Sequence, residues 1–131
     1  MEIVTILAII VGPIAAVLIT RFIDNLRIRK ERKLDILRAL MKTRQARLAA
    51  DHVAALNLVE LEFYGIKSVI DRYKDYIGHL SSPRPTEDEQ ERYFSQRNDL
   101  FVTLLFEIGK YLKYSFDKHD LQRQGYVPQG W

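Results

Sequence analysis

The chain has 131 residues, enough for about one domain, and 47% of them are hydrophobic. It contains no cysteine, which excludes disulfides, thiol chemistry and zinc–thiolate sites. The net charge of +3 hides an uneven spread: Arg21 to Arg47 holds ten basic and three acidic residues, whereas Leu48 to Trp131 holds ten basic and thirteen acidic ones.

The first element is apolar. From Ile3 to Thr20 no residue is charged, and those residues as a helix rise roughly 27 Å, close to the hydrocarbon thickness of a bilayer. A cleaved signal peptide would begin with basic residues, but the chain opens Met1-Glu2 and its positive charge follows the apolar run. The expectation is a retained transmembrane helix over 1–22. Ala8, Gly12 and Ala16 recur every fourth residue, a spacing that lets helix backbones approach closely in lipid, so this row is the predicted oligomerisation face. Pro13 removes the hydrogen bond to the Ile9 carbonyl.

A basic juxtamembrane helix is expected over 23–50. Positive charge on this flank places it in the cytoplasm and the N-terminus outside. Arg27, Arg29, Lys30, Arg32 and Lys33 form a cluster suited to anionic lipid headgroups.

Residues 51–120 read as a cytoplasmic helical hairpin turning at 81–85. No proline interrupts Arg21 to Leu80, so one long helical stretch is expected there, with a place for a break at Ala49-Ala50-Asp51; Gly65 and Gly78 weaken it without needing to end it. Leu56, Val59, Phe63, Ile66, Ile70, Tyr73, Ile77 and Leu80 repeat at 3–4 spacing, a coiled-coil seam, with Asn57 beside it as a buried polar residue that sets register. Leu56, Asn57 and Phe63 are therefore the predicted cytoplasmic oligomerisation residues. Pro83 and Pro85 end the stretch. Thr86-Glu87-Asp88-Glu89 has a capping-box pattern and opens a third helix to about His119. Its apolar face is Tyr93, Phe94, Leu100, Phe101, Leu104, Leu105, Ile108, Tyr111, Leu112 and Phe116. Residues 121–131 read as a tail with Tyr126 and Trp131 as anchors. The fold class is all-α: one N-terminal transmembrane helix, then a long-helix antiparallel hairpin or bundle.

Chemistry-bearing motifs are sparse. Phosphate loops, metal-ligand clusters and nucleophile elbows are absent from the sequence, so no cofactor and no metal are expected. Arg47 and His52 stand at R-x4-H spacing, the short motif of HEPN-type ribonucleases. That resemblance implies acid–base work on an RNA 2′-hydroxyl and phosphate. Leu48 departs from the polar residue those enzymes place after the arginine, and on one straight helix the two side chains would point about 140° apart. The pair is a weak catalytic candidate, and nucleic acid is not the expected partner.

Arg38-Ala-Leu-Met-Lys-Thr-Arg44, His52-Val-Ala-Ala-Leu-Asn57 and Glu60-Leu-Glu-Phe63 resemble a family of short bacterial proteins with one N-terminal span and no assigned activity. The layout is also similar to the membrane accessory proteins of type VI CRISPR systems, which join a span to a degenerate HEPN-like domain and assemble as a pore. These resemblances imply a bacterial inner-membrane location. The leading expectation is a non-enzymatic homo-oligomer, a pore or membrane-permeabilising effector in phage defence, whose partners are copies of itself and anionic lipids. The alternative is a membrane-tethered adaptor for a cytoplasmic protein; the third is a HEPN-like ribonuclease.

Overall fold

A computed structural model describes residues 2–123, and every element in it is helical. Five α-helices follow one another: α1 (Glu2–Lys42), α2 (Ala50–Glu62), α3 (Lys67–Leu80), α4 (Gln90–Tyr111) and α5 (Lys118–Arg123), with a 3-10 turn at Glu87–Glu89 before α4. The chain divides into two compact units, Met1–Arg32 and Lys33–Trp131, and the boundary falls inside α1. Of the predicted tail, residues 121–123 belong to α5 and Leu121 is buried, whereas Tyr126 and Trp131 lie outside the described residues.

The first unit is a helix alone. α1 passes through Pro13 without a break, and from Glu2 to Arg32 it buries no residue. The second unit has a single core. The last turns of α1 contribute Ile36, Leu37 and Leu40; α2 adds Ala55, Leu56 and Val59; Phe63 follows α2; α3 adds Val69 and Tyr76; and α4 adds Phe101, Val102, Leu104, Leu105 and Ile108. α3 packs along α4, α2 packs on α3, and α5 closes on α4 through Leu121.

The helical stretch expected from Arg21 to Leu80 is three helices, and the place for a break at Ala49-Ala50-Asp51 is where α2 begins. Residues 43–49 form turns, and α2 starts at Ala50 with Ala49 as its N-cap, making no side-chain cap bond. Gly65 does end a helix: its φ of +82° is left-handed, a conformation glycine adopts without steric cost. The interruption resets helical phase. The seam counted across it therefore holds only as far as Phe63; beyond, Val69 and Tyr76 are buried, while Ile66, Ile70, Tyr73 and Ile77 are half-buried and Leu80 is exposed.

The break at 81–85 is where the prolines put it, and the chain reverses there so that α3 and α4 form a hairpin: Tyr76 meets Phe101, and His79 meets Tyr93. Thr86 stands at the start of the 3-10 turn without the side-chain bond of a capping box. The third helix stops short of His119. The Lys113 N–H bonds the Lys110 carbonyl and the Tyr114 N–H bonds the Gly109 carbonyl, a Schellman ending that forces Lys113 to φ +73°. Its predicted face is buried at Phe101, Leu104, Leu105, Ile108 and Leu112, whereas Phe94 and Tyr111 are exposed. Asp117 then caps α5, accepting from the His119 and Asp120 N–H groups at 2.8 and 3.2 Å.

Candidate functional site

In the first unit, the predicted row of Ala8, Gly12 and Ala16 is exposed, and a Cβ added at Gly12 would meet nothing within 4 Å. The Thr20 hydroxyl donates to the Ala16 carbonyl at 2.9 Å, so the polar end of the row is satisfied within the helix. α1 is long and apolar enough to cross a membrane, and it lies near the N-terminus, where a signal sequence has the same character. Arg27, Arg29, Lys30 and Arg32 are exposed on it. Lys33 departs from that group: it is half-buried in the second unit, its ammonium 5.9 Å from the centre of the Phe63 ring.

In the second unit the turn at 43–49 supplies the helix break that an Arg47–His52 site requires. Both side chains reach Phe101 on α4. The Arg47 guanidinium carbon lies 4.4 Å from the ring centre and the His52 ring centre 5.2 Å from it. Arg47 is held further by Nε, which donates to the Arg44 carbonyl at 3.0 Å, and by Nη2, which donates to Asn98 Oδ1. Nearby, Tyr76 is buried, and burial raises the pKa of its phenol because it disfavours phenolate; the charges of Arg47 and Arg97 oppose that shift.

His52 is fully enclosed. The Thr43 hydroxyl donates to the Ala39 carbonyl at 2.6 Å, so it must accept from His52 Nδ1, 2.9 Å away. The proton is thereby assigned to Nδ1, and the Nε2 lone pair is buried without a partner. Burial pushes the imidazole pKa down to about 4, and the neighbouring Arg47 charge adds to the shift. In this placement His52 is a neutral base without solvent exposure. The pair ties the turn between α1 and α2 to α4.

A second arginine–aromatic–histidine group closes the α3–α4 turn. Arg97 Nε donates to His79 Nδ1 at 3.2 Å, and Arg97 Nη2 donates to the Tyr93 hydroxyl oxygen at 2.8 Å. The Tyr93 hydroxyl lies 2.7 Å from Ser82 Oγ. His79 thus carries its proton on Nε2, the opposite tautomer to His52. Burial lowers its pKa, with Arg97 contributing. Sequence spacing did not single out Thr43, Tyr76, Arg97 or Asn98, because each meets its partner only after the chain has turned.

The three residues expected to serve oligomerisation beyond the span separate. Leu56 and Phe63 lie in the chain's own core, while Asn57 is exposed on α2, so the three residues do not share one face of the helix. Near Asn57, Leu58 is exposed and Leu61 is 69% exposed, and Tyr64, just past the end of α2, is 84% exposed; Glu60 is exposed to one side of them. Among the described residues no group of three His, Cys, Asp or Glu side chains is placed to hold a metal ion.

A family model described as a family of unknown function, DUF6680, matches residues 1–131. No curated protein and no solved structure matches the chain.

Proposed function

The chain belongs to this family of unknown function, and we propose that it is a homo-oligomeric, single-span membrane protein acting on the membrane without catalysis, as a pore or permeabilising effector. One observation carries the reading. Ile3, Ile6, Leu7, Ile10, Ile14, Val17 and Leu18 are each more than half exposed on a helix that no part of its own unit covers. So much apolar surface is unfavourable in water and favourable in lipid or against copies of itself. The basic residues from Arg21 onward orient the span, with the N-terminus outside and residues 33–131 in the cytoplasm. Arg27, Arg29, Lys30 and Arg32 then lie within reach of anionic headgroups.

The span helices pack through Ala8, Gly12 and Ala16, since close backbone contact replaces the missing hydrophobic drive in lipid. The test is the mass of the detergent-solubilised particle. Wild type is expected as an oligomer, and Gly12→Leu as a smaller particle that still inserts. Permeability caused by overexpression falls with it. A wild-type monomer would refute the reading.

A membrane-tethered adaptor is the second reading, favoured by the exposed apolar surface of α2. A HEPN-like ribonuclease ranks last, because acid–base chemistry requires the imidazole to reach the substrate and His52 is enclosed.

A further inference from the structure

α2 carries two rows at 3–4 spacing. The inner row, His52, Leu56, Val59 and Phe63, is buried in the chain's own core. The outer row, Ala50, Ala54, Asn57, Leu61 and Tyr64, is exposed throughout and holds no charged residue. The charged residues of the helix, Asp51, Glu60 and Glu62, lie to the sides of this row, which leaves an uncharged, mostly apolar face without a cover.

We propose that the outer row of α2 packs antiparallel against the outer row of α2 in a second copy, across a two-fold axis at Asn57. This rests on the self-association reading and names its cytoplasmic contact.

Three features of the row select a second copy as the occupant. The first is size: small residues, Ala50 and Ala54, lie at one end of the row, and large ones, Leu61 and Tyr64, at the other. Antiparallel pairing sets Ala50 against Tyr64 and Ala54 against Leu61, large beside small at each level, as interdigitated packing requires. The second is Asn57. At the centre of a two-fold contact it faces itself, and a carboxamide both donates and accepts, so two copies satisfy each other. A polar residue at one seam position fixes register in this way. The third is charge. Asp51, which pairs with Lys42 at 3.5 Å, lies at the N-terminal end of α2, and the exposed Lys67 lies just beyond its C-terminal end. Antiparallel pairing brings each Asp51 toward the other copy's Lys67, an opposite charge, which parallel pairing does not.

The area accounts for the setting in which such a pair forms. A row of this length is about 21 Å long, and one helix face of that length falls short of the roughly 800 Å² per partner of a standard interface. Free in solution the pair would be weak. Anchoring both copies in one membrane raises their effective concentration and favours the contact without enlarging it.

The chain lacks cysteine, so a single introduced thiol reports its own neighbourhood. Full-length Asn57→Cys in isolated membranes, oxidised, is expected to give a covalent dimer as the main species. Lys74→Cys, on the exposed surface of α3, is expected to stay monomeric. Adding Leu61→Glu to Asn57→Cys should cut the dimer at least tenfold without loss of helix content. Co-expressed, separately tagged Ala50→Cys and Tyr64→Cys chains should join to each other more than to themselves. Cross-linking of Asn57→Cys no better than Lys74→Cys overturns the inference, as does an adduct with a different protein. If the wild-type particle is then still oligomeric and Gly12→Leu reduces its mass, only this contact is lost. A monomeric wild type removes both readings.

Discussion

Two stretches of α1 share one helical backbone and differ in what surrounds them. Between Glu2 and Arg32 nothing is buried, although most of the side chains up to Thr20 are large and apolar. Between Lys33 and Lys42 the composition is more polar, yet Ile36 and Leu37 are each 3% exposed and Leu40 is wholly buried. Apolar content alone therefore does not say which residues a chain encloses. From Ile3 to Thr20 the helix is apolar on all sides, and no residue of its own unit covers it. The second shows one apolar stripe among charges, and a stripe is what a neighbouring helix covers.

The largest effect that would break this contrast comes from truncating one leucine in each stretch, buried in the second and exposed in the first. Leu40→Ala should cost about 4 kcal/mol of the second unit's stability, through lost transfer energy and the cavity left. Leu7→Ala should change that stability by no more than about 0.5 kcal/mol, since exposed sites contribute little. Denaturant unfolding of the full chain in detergent, followed by near-ultraviolet circular dichroism, measures both. Equal losses would show that the two stretches are not energetically separate.

Acid sharpens the contrast next. The unfolded His52 imidazole takes up a proton near its ordinary pKa of about 6.5, while burial holds the folded one down at about 4. The unfolded state thus binds the proton first. Stability is full above about pH 6.5 and falls as pH drops toward 4, by about 3 kcal/mol in all. His79, whose pKa is also lowered, acts in the same direction. His52→Leu should flatten much of the slope, and a slope unchanged by it would mean His52 is not the group responsible. The stretch from Ile3 to Thr20 has no titratable side chain, so membrane insertion should stay constant over this range.

The smallest effect is a gain. Lys113 holds a left-handed φ that costs a side-chain-bearing residue about 1 kcal/mol or more. Lys113→Gly should raise the melting free energy by about 0.5 kcal/mol after glycine's greater unfolded-chain entropy is deducted. Thermal unfolding monitored at 222 nm checks it, and a loss of stability would mean the Lys113 side chain contributes more than its backbone costs.

Much of the helical framework was legible because local rules decide it. The charge-free run from Ile3 to Thr20, the reversal at Pro83 and Pro85, and the buried face of α4 each follow from composition or spacing within one element. Gly65 was less legible: glycine tolerates a helix interior and a left-handed turn alike, and packing chooses between them. That choice rotated the seam beyond Phe63 and put Tyr76, absent from the predicted stripe, in the core. Asn57 was read together with Leu56 and Phe63, but two 3–4 rows run along α2 and spacing alone does not say which one faces inward; Leu56 and Phe63 do, and Asn57 does not.

The candidate site divides the same way. Sequence alone determined that the chain is all-α, that its N-terminal helix carries a stretch apolar enough for lipid, and that Arg47 and His52 stand five residues apart. Only the tertiary structure decided that both meet Phe101, that Thr43 sets the His52 tautomer, and that the ring is sealed from solvent. The reason is distance along the chain. Helix, turn and charge bias depend on neighbours within a few residues, whereas burial of His52 depends on α4, some fifty residues later, closing over it.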